Sequence, residues 1–197
     1  MAGYHALLLA AGAGSRFGGG KLLAPWRGEP LVRAAARTAL ASPVEACIAV
    51  TGCDADAVEA ALSALGSSRM VSVRAPDWRE GLAASLRAGV NALPGGSRGV
   101  VVFLGDMPLV PPSAAGLLIA ALENGAIGAE MRFSGRPAHP VAFGRALFDD
   151  LRSLKGDRGG RHLLSDHDKT VRVETLDAGA VFDIDHVEDM ARLEPWP

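Results

Sequence analysis

The strongest constraint on the fold is the alternation of short apolar runs with segments of helical periodicity. Residues 5–11 form an apolar run that ends at Gly12, which predicts a strand buried on both faces. Small and apolar residues then recur at helical spacing between residues 30 and 40, and residues 46–50 form a second apolar run. This order predicts a strand, helix and strand unit whose two strands are parallel.

The same alternation continues through the middle of the chain. Helices are predicted over residues 55–65 and 82–93, and strands over residues 71–74 and 99–104. Strands that alternate with helices form a mostly parallel sheet with helices on both faces. We therefore expect an α/β fold, specifically a Rossmann-like three-layer α/β/α sandwich with a mostly parallel sheet.

The second half of the chain is less regular. Residues 135–140 contain one glycine and two prolines, which predicts a loop within a strand pair that extends the sheet. A helix over residues 146–154, a polar glycine-rich loop, a strand over residues 171–174 and a final helix complete the pattern. Since no linker or repeat divides the 197 residues, we expect a single domain over residues 1–197.

Composition excludes several classes of partner. The chain carries 20 Lys and Arg against 22 Asp and Glu, and its net charge of −2 provides no broad basic field for nucleic acid or an anionic membrane. No signal peptide pattern and no apolar stretch of membrane-spanning length is present, so a cytoplasmic location is expected. The two cysteines, Cys47 and Cys53, lack CxxC spacing, and we expect neither a disulfide nor a metal role for them.

The loop after the first strand carries the clearest functional signal. Residues 12–20 are rich in glycine, and Arg16 and Lys21 lie in or directly after this stretch. Small residues at the carboxyl end of a strand let backbone N–H groups approach a phosphate, while the two cations neutralise it. The loop is not a Walker A motif because Leu22 follows Lys21, and Phe17 occupies the third glycine position of the dinucleotide fingerprint. A flexible connection without function is the alternative.

Asp106 is the first candidate metal ligand. It follows the apolar run 99–104 and Gly105, at the edge of the sheet where ligands of such folds bind. Mg²⁺ prefers oxygen ligands and is commonly held by one or two carboxylates together with substrate phosphates. The alternative is a turn or capping role ahead of Pro108.

Two further carboxylates lie near the end of the chain. Asp183 and Asp185 alternate about Ile184, so on a strand both would face the same side. Either one is a candidate to complete the metal site. The alternative for Asp185 is a cap on the last helix, with Glu188 as its capping-box partner.

Several blocks together resemble the MobA-like nucleotidyltransferases, and particularly the molybdenum cofactor cytidylyltransferases. The resemblance covers nearly the whole chain in family order, in the blocks 9–12, 16–18, 21–23, 78–86, 104–108, 135–140, 156–161 and 182–185. It implies the nucleotide-diphospho-sugar transferase-like form of the sandwich, with Mg²⁺ as cofactor.

The resemblance also implies a set of site residues. The implied nucleotide-binding residues are Ala10, Ala11, Gly12, Gly14, Arg16, Lys21, Gly81, Ser85 and Asp106. Of these, Arg16, Lys21 and Asp106 are implied to be catalytic, and Asp106 is expected to share the metal with Asp183 or Asp185. The block Leu-Ala-Ala-Gly, with Ala11 in place of a second glycine, favours CTP over GTP.

The acceptor side is implied to involve His139, Asp157, Arg158 and Arg161. Each has a plain alternative: His139 as a brace within a proline-rich loop, Asp157 as a cap for the helix that contains His162, and the arginines as solvated surface residues. For these residues the sequence leaves both interpretations open.

The expected reaction transfers CMP from CTP to the phosphate of molybdopterin or the molybdenum cofactor and releases pyrophosphate. In-line attack of this kind requires positioning and charge neutralisation rather than a protein nucleophile. Expected partners are CTP, the molybdopterin-type acceptor and, transiently, a molybdenum oxidoreductase or its chaperone. The alternatives are another cytidylyltransferase or sugar-phosphate nucleotidyltransferase, or a non-catalytic chaperone that binds the molybdenum cofactor.

Overall fold

The computed structural model describes residues 3–165 and 167–193, and its centre is one sheet of seven strands. Within those residues the strands are β1 (Tyr4–Ala10), β2 (Pro25–Trp26), β3 (Glu29–Pro30), β4 (Cys47–Thr51), β5 (Met70–Arg74), β6 (Gly99–Leu104), β7 (Gly128–Phe133), β8 (Arg136–Gly144) and β9 (Thr170–Thr175). The helices are α1 (Leu31–Ala41), α2 (Ala55–Ser63), α3 (Leu82–Asn91), α4 (Pro112–Glu123), α5 (Phe148–Ser153), α6 (His162–Ser165) and α7 (Val187–Leu193).

The sheet has the order β5-β4-β1-β6-β8-β7-β9. The pairs β5-β4, β4-β1, β1-β6 and β7-β9 are parallel, whereas β8 runs antiparallel to both of its neighbours. The short strands β2 and β3 form a separate hairpin. The sheet is therefore mostly parallel, as expected, and β1 lies at its centre.

Alternate residues of β1 face the two helical layers, as the pleat of a strand requires. Ala6, Leu8 and Ala10 pack in the core that contains α1, α2 and α4. Leu7 and Leu9 pack in the opposite core with α3 and α5. The predicted three-layer sandwich is confirmed. Its extent as one domain over residues 1–197 stays a prediction.

The prediction of a loop over residues 135–140 is wrong, because most of this stretch is the first half of β8. The pairing register between β7 and β8 shifts between Glu130 and Met131, which leaves His139 and Pro140 in a bulge outside the paired register. Proline lacks the N–H group that a ladder needs, and a bulge removes that need.

Two other segments differ from expectation. Residues 183–185 form no strand but an irregular segment between a 3-10 turn, Ala178–Val181, and α7. Helix α4 is absent from the predicted elements, because its sequence is apolar on nearly every face and so lacks the periodicity on which prediction depends. No helix among the described residues is both long and apolar enough to cross a membrane.

Candidate active site

A cavity of about 660 Å³ lies at the carboxyl ends of β1 and β6. The loop after β1, the 3-10 turn Trp78–Glu80 and the first turn of α3 form its walls. Of the nucleotide-binding residues implied by the sequence, Ala10, Ala11, Gly12, Gly14, Lys21, Gly81, Ser85 and Asp106 line this cavity. We name it the first cavity.

The loop after β1 is bent by glycines in left-handed conformation. Gly14 has φ 59°, and a Cβ atom there would lie 2.8 Å from Cβ of Lys21. The Gly19 backbone N–H donates to the Gly14 carbonyl oxygen at 3.1 Å, which closes the loop. Glycine at position 14 therefore lets the chain fold back and direct Lys21 towards the cavity.

Lys21 is the centre of an ion-pair network. Its Nζ lies 2.6 Å from Oδ2 of Asp106 and 3.4 Å from Oδ1 of Asp185, and the Lys21 side chain is only 12% exposed. Arg16, at 73% exposure, extends the network through an Nη1 contact of 2.8 Å with Asp185. Arg16 does not itself line the first cavity but reaches it through this carboxylate.

The pKa of Asp185 reflects the network. Partial burial alone would raise it, but the hydrogen bond from Arg16 and the charge of Lys21 together hold the pKa of this carboxyl below its ordinary value. Asp185 is therefore a carboxylate at neutral pH.

A backbone contact brings the end of the chain to this site. The Ile184 N–H donates to the Asp106 carbonyl oxygen at 3.2 Å, and the Ile184 side chain is fully buried near Trp26 and Leu31. Burial of Ile184 anchors the segment, so that Asp185 reaches Lys21 although it is not on a strand.

Asp185 does not form the capping box considered for α7. Instead, Oδ2 of Asp189 accepts from the backbone N–H groups of Asp185 and His186, at 3.0 and 2.8 Å. The Asp185 side chain is thereby left to Arg16 and Lys21.

Asp183 is more exposed than Asp185. Desolvation, followed by the charges of Asp185 and Asp106, raises the pKa of Asp183. It therefore lies within electrostatic range of both carboxylates, but the ion pairs to Lys21 are made by Asp106 and Asp185.

Without a bound nucleotide, the side chains at this site supply only part of the ligand set of a divalent cation. In the described part of the chain, no group of three or more His, Cys, Asp or Glu side chains is arranged to hold a metal ion. Asp106 and Asp185 nevertheless contact one cation already, the ammonium of Lys21. Two carboxylates around one positive charge match the Mg²⁺ sites in which substrate phosphates supply further ligands.

A second cavity, of about 230 Å³, adjoins the first. Leu9, Leu82 and Leu104 line both cavities. The remaining wall of the second cavity is mostly apolar, and its polar side chains are His139 and Arg161.

One ring nitrogen of His139 lacks a hydrogen-bond partner among the described residues. Its Nδ1 atom is buried and has no hydrogen-bond partner within residues 3–165 and 167–193. Burial, with a smaller contribution from the Arg161 charge, lowers the pKa of His139 to about 3. The imidazole is therefore neutral at physiological pH.

Arg161 is held in place by the sheet. Its Nη2 donates to the Ala138 carbonyl oxygen at 2.7 Å, and its Nε lies 3.4 Å from Oε2 of Glu130. Glu130 is only 4% exposed and also pairs with Arg132 at 3.2 Å and Arg172 at 3.3 Å. A buried carboxylate thus orients the arginine of the second cavity.

The other two residues of the acceptor set lie elsewhere. Asp157 lines the first cavity, and its Oδ1 accepts from the Leu82 backbone N–H at 3.2 Å. It therefore caps α3 and not the helix that contains His162. Arg158 is exposed and lies outside the linings of both cavities.

Sequence reasoning missed two residues that line the first cavity and one that supports the second. Trp78 and Arg79 line the first cavity, with the Arg79 guanidinium 4.4 Å from the centroid of the Trp78 ring. Their position beside Gly81, in a block already noted, was the available signal. Glu130, which holds Arg161 beside the second cavity, is marked in the sequence only as the one acidic residue of β7, a strand whose first four residues are buried.

A family model described as the MobA-like NTP transferase domain matches residues 6–171. The chain belongs to this family. It is a nucleotidyltransferase of the MobA-like type, as the sequence blocks led us to expect.

Curated relatives cover nearly the same length. The chain is 33% identical to the nicotine blue oxidoreductase of Paenarthrobacter nicotinovorans, over 95% of this chain and 94% of the relative. It is 30% identical to the purine catabolism protein PucB of Bacillus subtilis, over 94% of each chain. A shorter match, 36% identical over 62% of this chain and 54% of the relative, is to the 2-C-methyl-D-erythritol 4-phosphate cytidylyltransferase of a Synechococcus species.

Solved structures share the fold. Rv0371c of Mycobacterium tuberculosis is 27% identical, with a TM-score of 0.81 over 98% of this chain and 97% of that one. Its complex with manganese, also 27% identical, gives a TM-score of 0.75 over 97% of both chains. A nucleotidyl transferase from Methanothermobacter thermautotroptrophicus is 27% identical, with a TM-score of 0.80 over 97% of this chain and 95% of that one.

Proposed function

We propose that this nucleotidyltransferase moves CMP from CTP to the phosphate of a molybdopterin-type acceptor and releases pyrophosphate. The observation that carries the proposal is Lys21, held between Asp106 and Asp185 in the first cavity. In such a cluster the lysine offsets the negative charge of a triphosphate, and the two carboxylates provide ligands for its metal ion. These are the main requirements of in-line nucleotidyl transfer.

The first cavity takes the nucleotide in this proposal. Backbone groups of Ala10, Ala11 and Gly12 contact base and ribose, because small residues allow close approach. Gly81 and Ser85, at the start of α3, help to read the base. The Ala11 methyl group favours cytosine, and one of the relatives is named a cytidylyltransferase.

Asp106 and Asp185 hold Mg²⁺ together with phosphate oxygens of the nucleotide. When bound, the metal supplies charge neutralisation at the triphosphate. The manganese complex of Rv0371c supports a divalent metal in this fold. Lys21 and Arg16 bind the phosphates and the departing pyrophosphate, and no covalent intermediate on the protein is needed.

The second cavity takes part of the acceptor. Its volume of about 230 Å³ and its apolar wall suit a flat heterocycle such as a pterin. The neutral His139 offers a ring nitrogen to a polar edge of that heterocycle, and Arg161 supplies positive charge near the acceptor phosphate. Arg158, exposed on the same loop, attracts the acceptor from solvent.

The competing functions differ in what this second cavity must hold. A methylerythritol phosphate or a sugar phosphate is a hydroxyl-rich acceptor, for which a mostly apolar wall is a poor match. A non-catalytic chaperone for the molybdenum cofactor would use the second cavity but would have no need of Lys21 and Asp106. Transfer of the product to a molybdenum oxidoreductase or its chaperone would follow catalysis.

Pyrophosphate release tests the proposal. The purified protein is incubated with Mg²⁺, each of the four ribonucleoside triphosphates and molybdopterin, and we expect release with CTP. Asp106→Asn, which keeps the shape and removes the charge, should lower the rate about 100-fold or more. Asp149→Asn is the matched control, since that carboxylate is 96% exposed and lies on α5.

Other outcomes select the alternatives. If the protein binds the pterin but releases no pyrophosphate from any nucleotide, the non-catalytic chaperone becomes the better interpretation. If pyrophosphate is released only with methylerythritol phosphate or a sugar phosphate, that compound and not molybdopterin is the acceptor.

A further inference from the structure

Residues 156–161 contribute to the walls of both cavities, and Asp157 belongs to the wall of the first. Asp157 lines the first cavity, whereas Gly159, Gly160 and Arg161 line the second. We infer that Asp157 is a positioning residue for the nucleotide, which fixes the first turn of α3 and so sets nucleotide affinity without touching the acceptor. This inference rests on the proposed nucleotidyl transfer.

The loop occupies backbone donors at the start of α3. The Leu82 N–H donates to Oδ1 of Asp157 at 3.2 Å, and the Ala83 N–H donates to the Gly156 carbonyl oxygen at 3.2 Å. The first N–H groups of any helix have no acceptor within the helix, so they need partners from outside it. Here the partners come from a loop 75 residues further along the chain.

Gly81 couples the loop to the cavity wall by direct contact. It has φ 109°, and a Cβ atom there would lie 2.7 Å from Cα of Asp157. The loop thus occupies the space that a side chain at position 81 would need. The loop is therefore closely packed against Gly81, which is itself part of the cavity wall.

The same turn places Ser85. This residue is 4% exposed and lines the first cavity one turn into α3. A carboxylate at a helix N-terminus holds the first turn through the hydrogen bond and through the helix dipole. Loss of the carboxylate lets the turn fray, and the groups at positions 81 and 85 lose their fixed position for the base.

The acceptor side of the loop has its own anchors. Arg161 is fixed by the Ala138 carbonyl oxygen and by the buried Glu130, and neither contact involves Asp157. The second cavity should therefore keep its shape when the Asp157 side chain is removed. The two ends of one loop act on different substrates.

The experiment measures CTP and acceptor separately. The Kd of CTP with Mg²⁺ is determined by calorimetry, and kcat and the KM of molybdopterin by pyrophosphate release. Asp157→Ala should weaken CTP binding about five- to tenfold, the effect of a lost helix cap. The molybdopterin KM and kcat at saturating CTP should stay within about twofold of wild type.

Asp157→Asn is the rescue variant, because its amide oxygen still accepts from the Leu82 N–H. We expect the CTP affinity of this variant to be within about twofold of wild type. If Asp157→Asn binds CTP as weakly as Asp157→Ala, the capping role of the Asp157 side chain is contradicted. Asp149→Ala, which removes an exposed carboxylate on α5, is the control and should change nothing. Thermal unfolding shows whether each variant is folded. If Asp157→Ala does not fold, it is replaced by Asp157→Ser, whose shorter side chain places its oxygen farther from the Leu82 N–H.

The remaining outcomes separate this inference from the proposed function. A wild-type protein that neither binds CTP with Mg²⁺ nor releases pyrophosphate overturns the proposed function. A wild-type protein that does both, with unchanged CTP affinity in Asp157→Ala, overturns the positioning role alone. A raised molybdopterin KM with unchanged CTP affinity would make Asp157 an acceptor contact.

Discussion

The two cavities share three leucines but differ in the number of charged side chains and in how far these are exposed to solvent. The first cavity brings Lys21, Asp106 and Asp185 together in partial contact with solvent, where their charges stay available to a ligand. The second cavity is mostly apolar, its histidine is neutral, and Arg161 shares one buried carboxylate, that of Glu130, with Arg132 and Arg172. We therefore expect the first cavity to bind mainly by electrostatics and the second mainly by shape, with Arg161 as the charged side chain of its wall.

The largest effect is expected when the positive charge of Lys21 is removed from the first cavity. Lys21→Met keeps the length of the side chain but leaves Asp106 and Asp185 without their shared partner. We expect kcat/KM to fall roughly 10²- to 10³-fold, because charge stabilisation in the transition state is lost. Lys169→Met, at an exposed turn before β9, is the control in the same pyrophosphate assay. A Lys21→Met variant that keeps activity within tenfold of wild type would contradict the electrostatic role of the first cavity.

The second prediction tests whether the charge of the second cavity is structural. Glu130→Gln leaves Arg161, Arg132 and Arg172 without their buried carboxylate. Urea unfolding should show a loss of about 2–3 kcal/mol, below the usual range for breaking a buried pair because the arginines are partly exposed. Glu45→Gln, at a carboxylate that is 49% exposed, should cost much less.

A loss below about 0.5 kcal/mol in Glu130→Gln would mean that this network does not brace the cavity, since that is the size expected of an exposed ion pair.

The third prediction separates the two substrates. His139→Leu removes the unpartnered ring nitrogen, and we expect the KM of molybdopterin to rise about tenfold as one hydrogen bond is lost. The KM of CTP should be unchanged, since His139 does not line the first cavity. If His139 only braces the bulge of β8, thermal stability will fall and neither KM will change.

The smallest expected effect is on the pH dependence of stability. The pKa of His139 is about 3 in the folded protein against an ordinary value of 6.5, so the unfolded chain binds the proton more readily. The stabilising contribution is present above pH 6.5 and is lost as the pH falls towards 3, by about 1 kcal/mol between pH 6.5 and 5.5. His139→Gln should flatten this part of a urea-derived stability profile.

His5, whose pKa is also lowered by burial, adds a slope in the same direction that the variant retains. An identical profile in wild type and His139→Gln would show that His139 is not buried as described.

The first cavity was more predictable from sequence than the second for a physical reason. Lys21 and Asp106 directly follow the loop and strand that present them, so local order along the chain places them at the edge of the sheet. The choice between Asp183 and Asp185 was not accessible, because it depends on the burial of Ile184 against Trp26, a contact between distant parts of the chain.

Three other features of the fold also have no local signal in the sequence. Two prolines made residues 135–140 resemble a loop, since nothing local reveals the bulge that lets β8 accommodate them. Helix α4 has too few polar residues to show a period. The contact of Asp157 with Leu82 joins residues 75 positions apart, and no local pattern indicates it.

The hydrogen bond from Ile184 to the Asp106 carbonyl has a consequence for the order of synthesis on the ribosome. Lys21 and Asp106 lie within residues 1–106, whereas Asp185 is translated after every strand of the sheet, the last of which, β9, ends at Thr175. The negative partner that completes the cluster is therefore added after most of the sheet has been made. A translation product that stops before Ile184 would contain Lys21 and Asp106 but would lack Asp185 and the buried Ile184 that positions it.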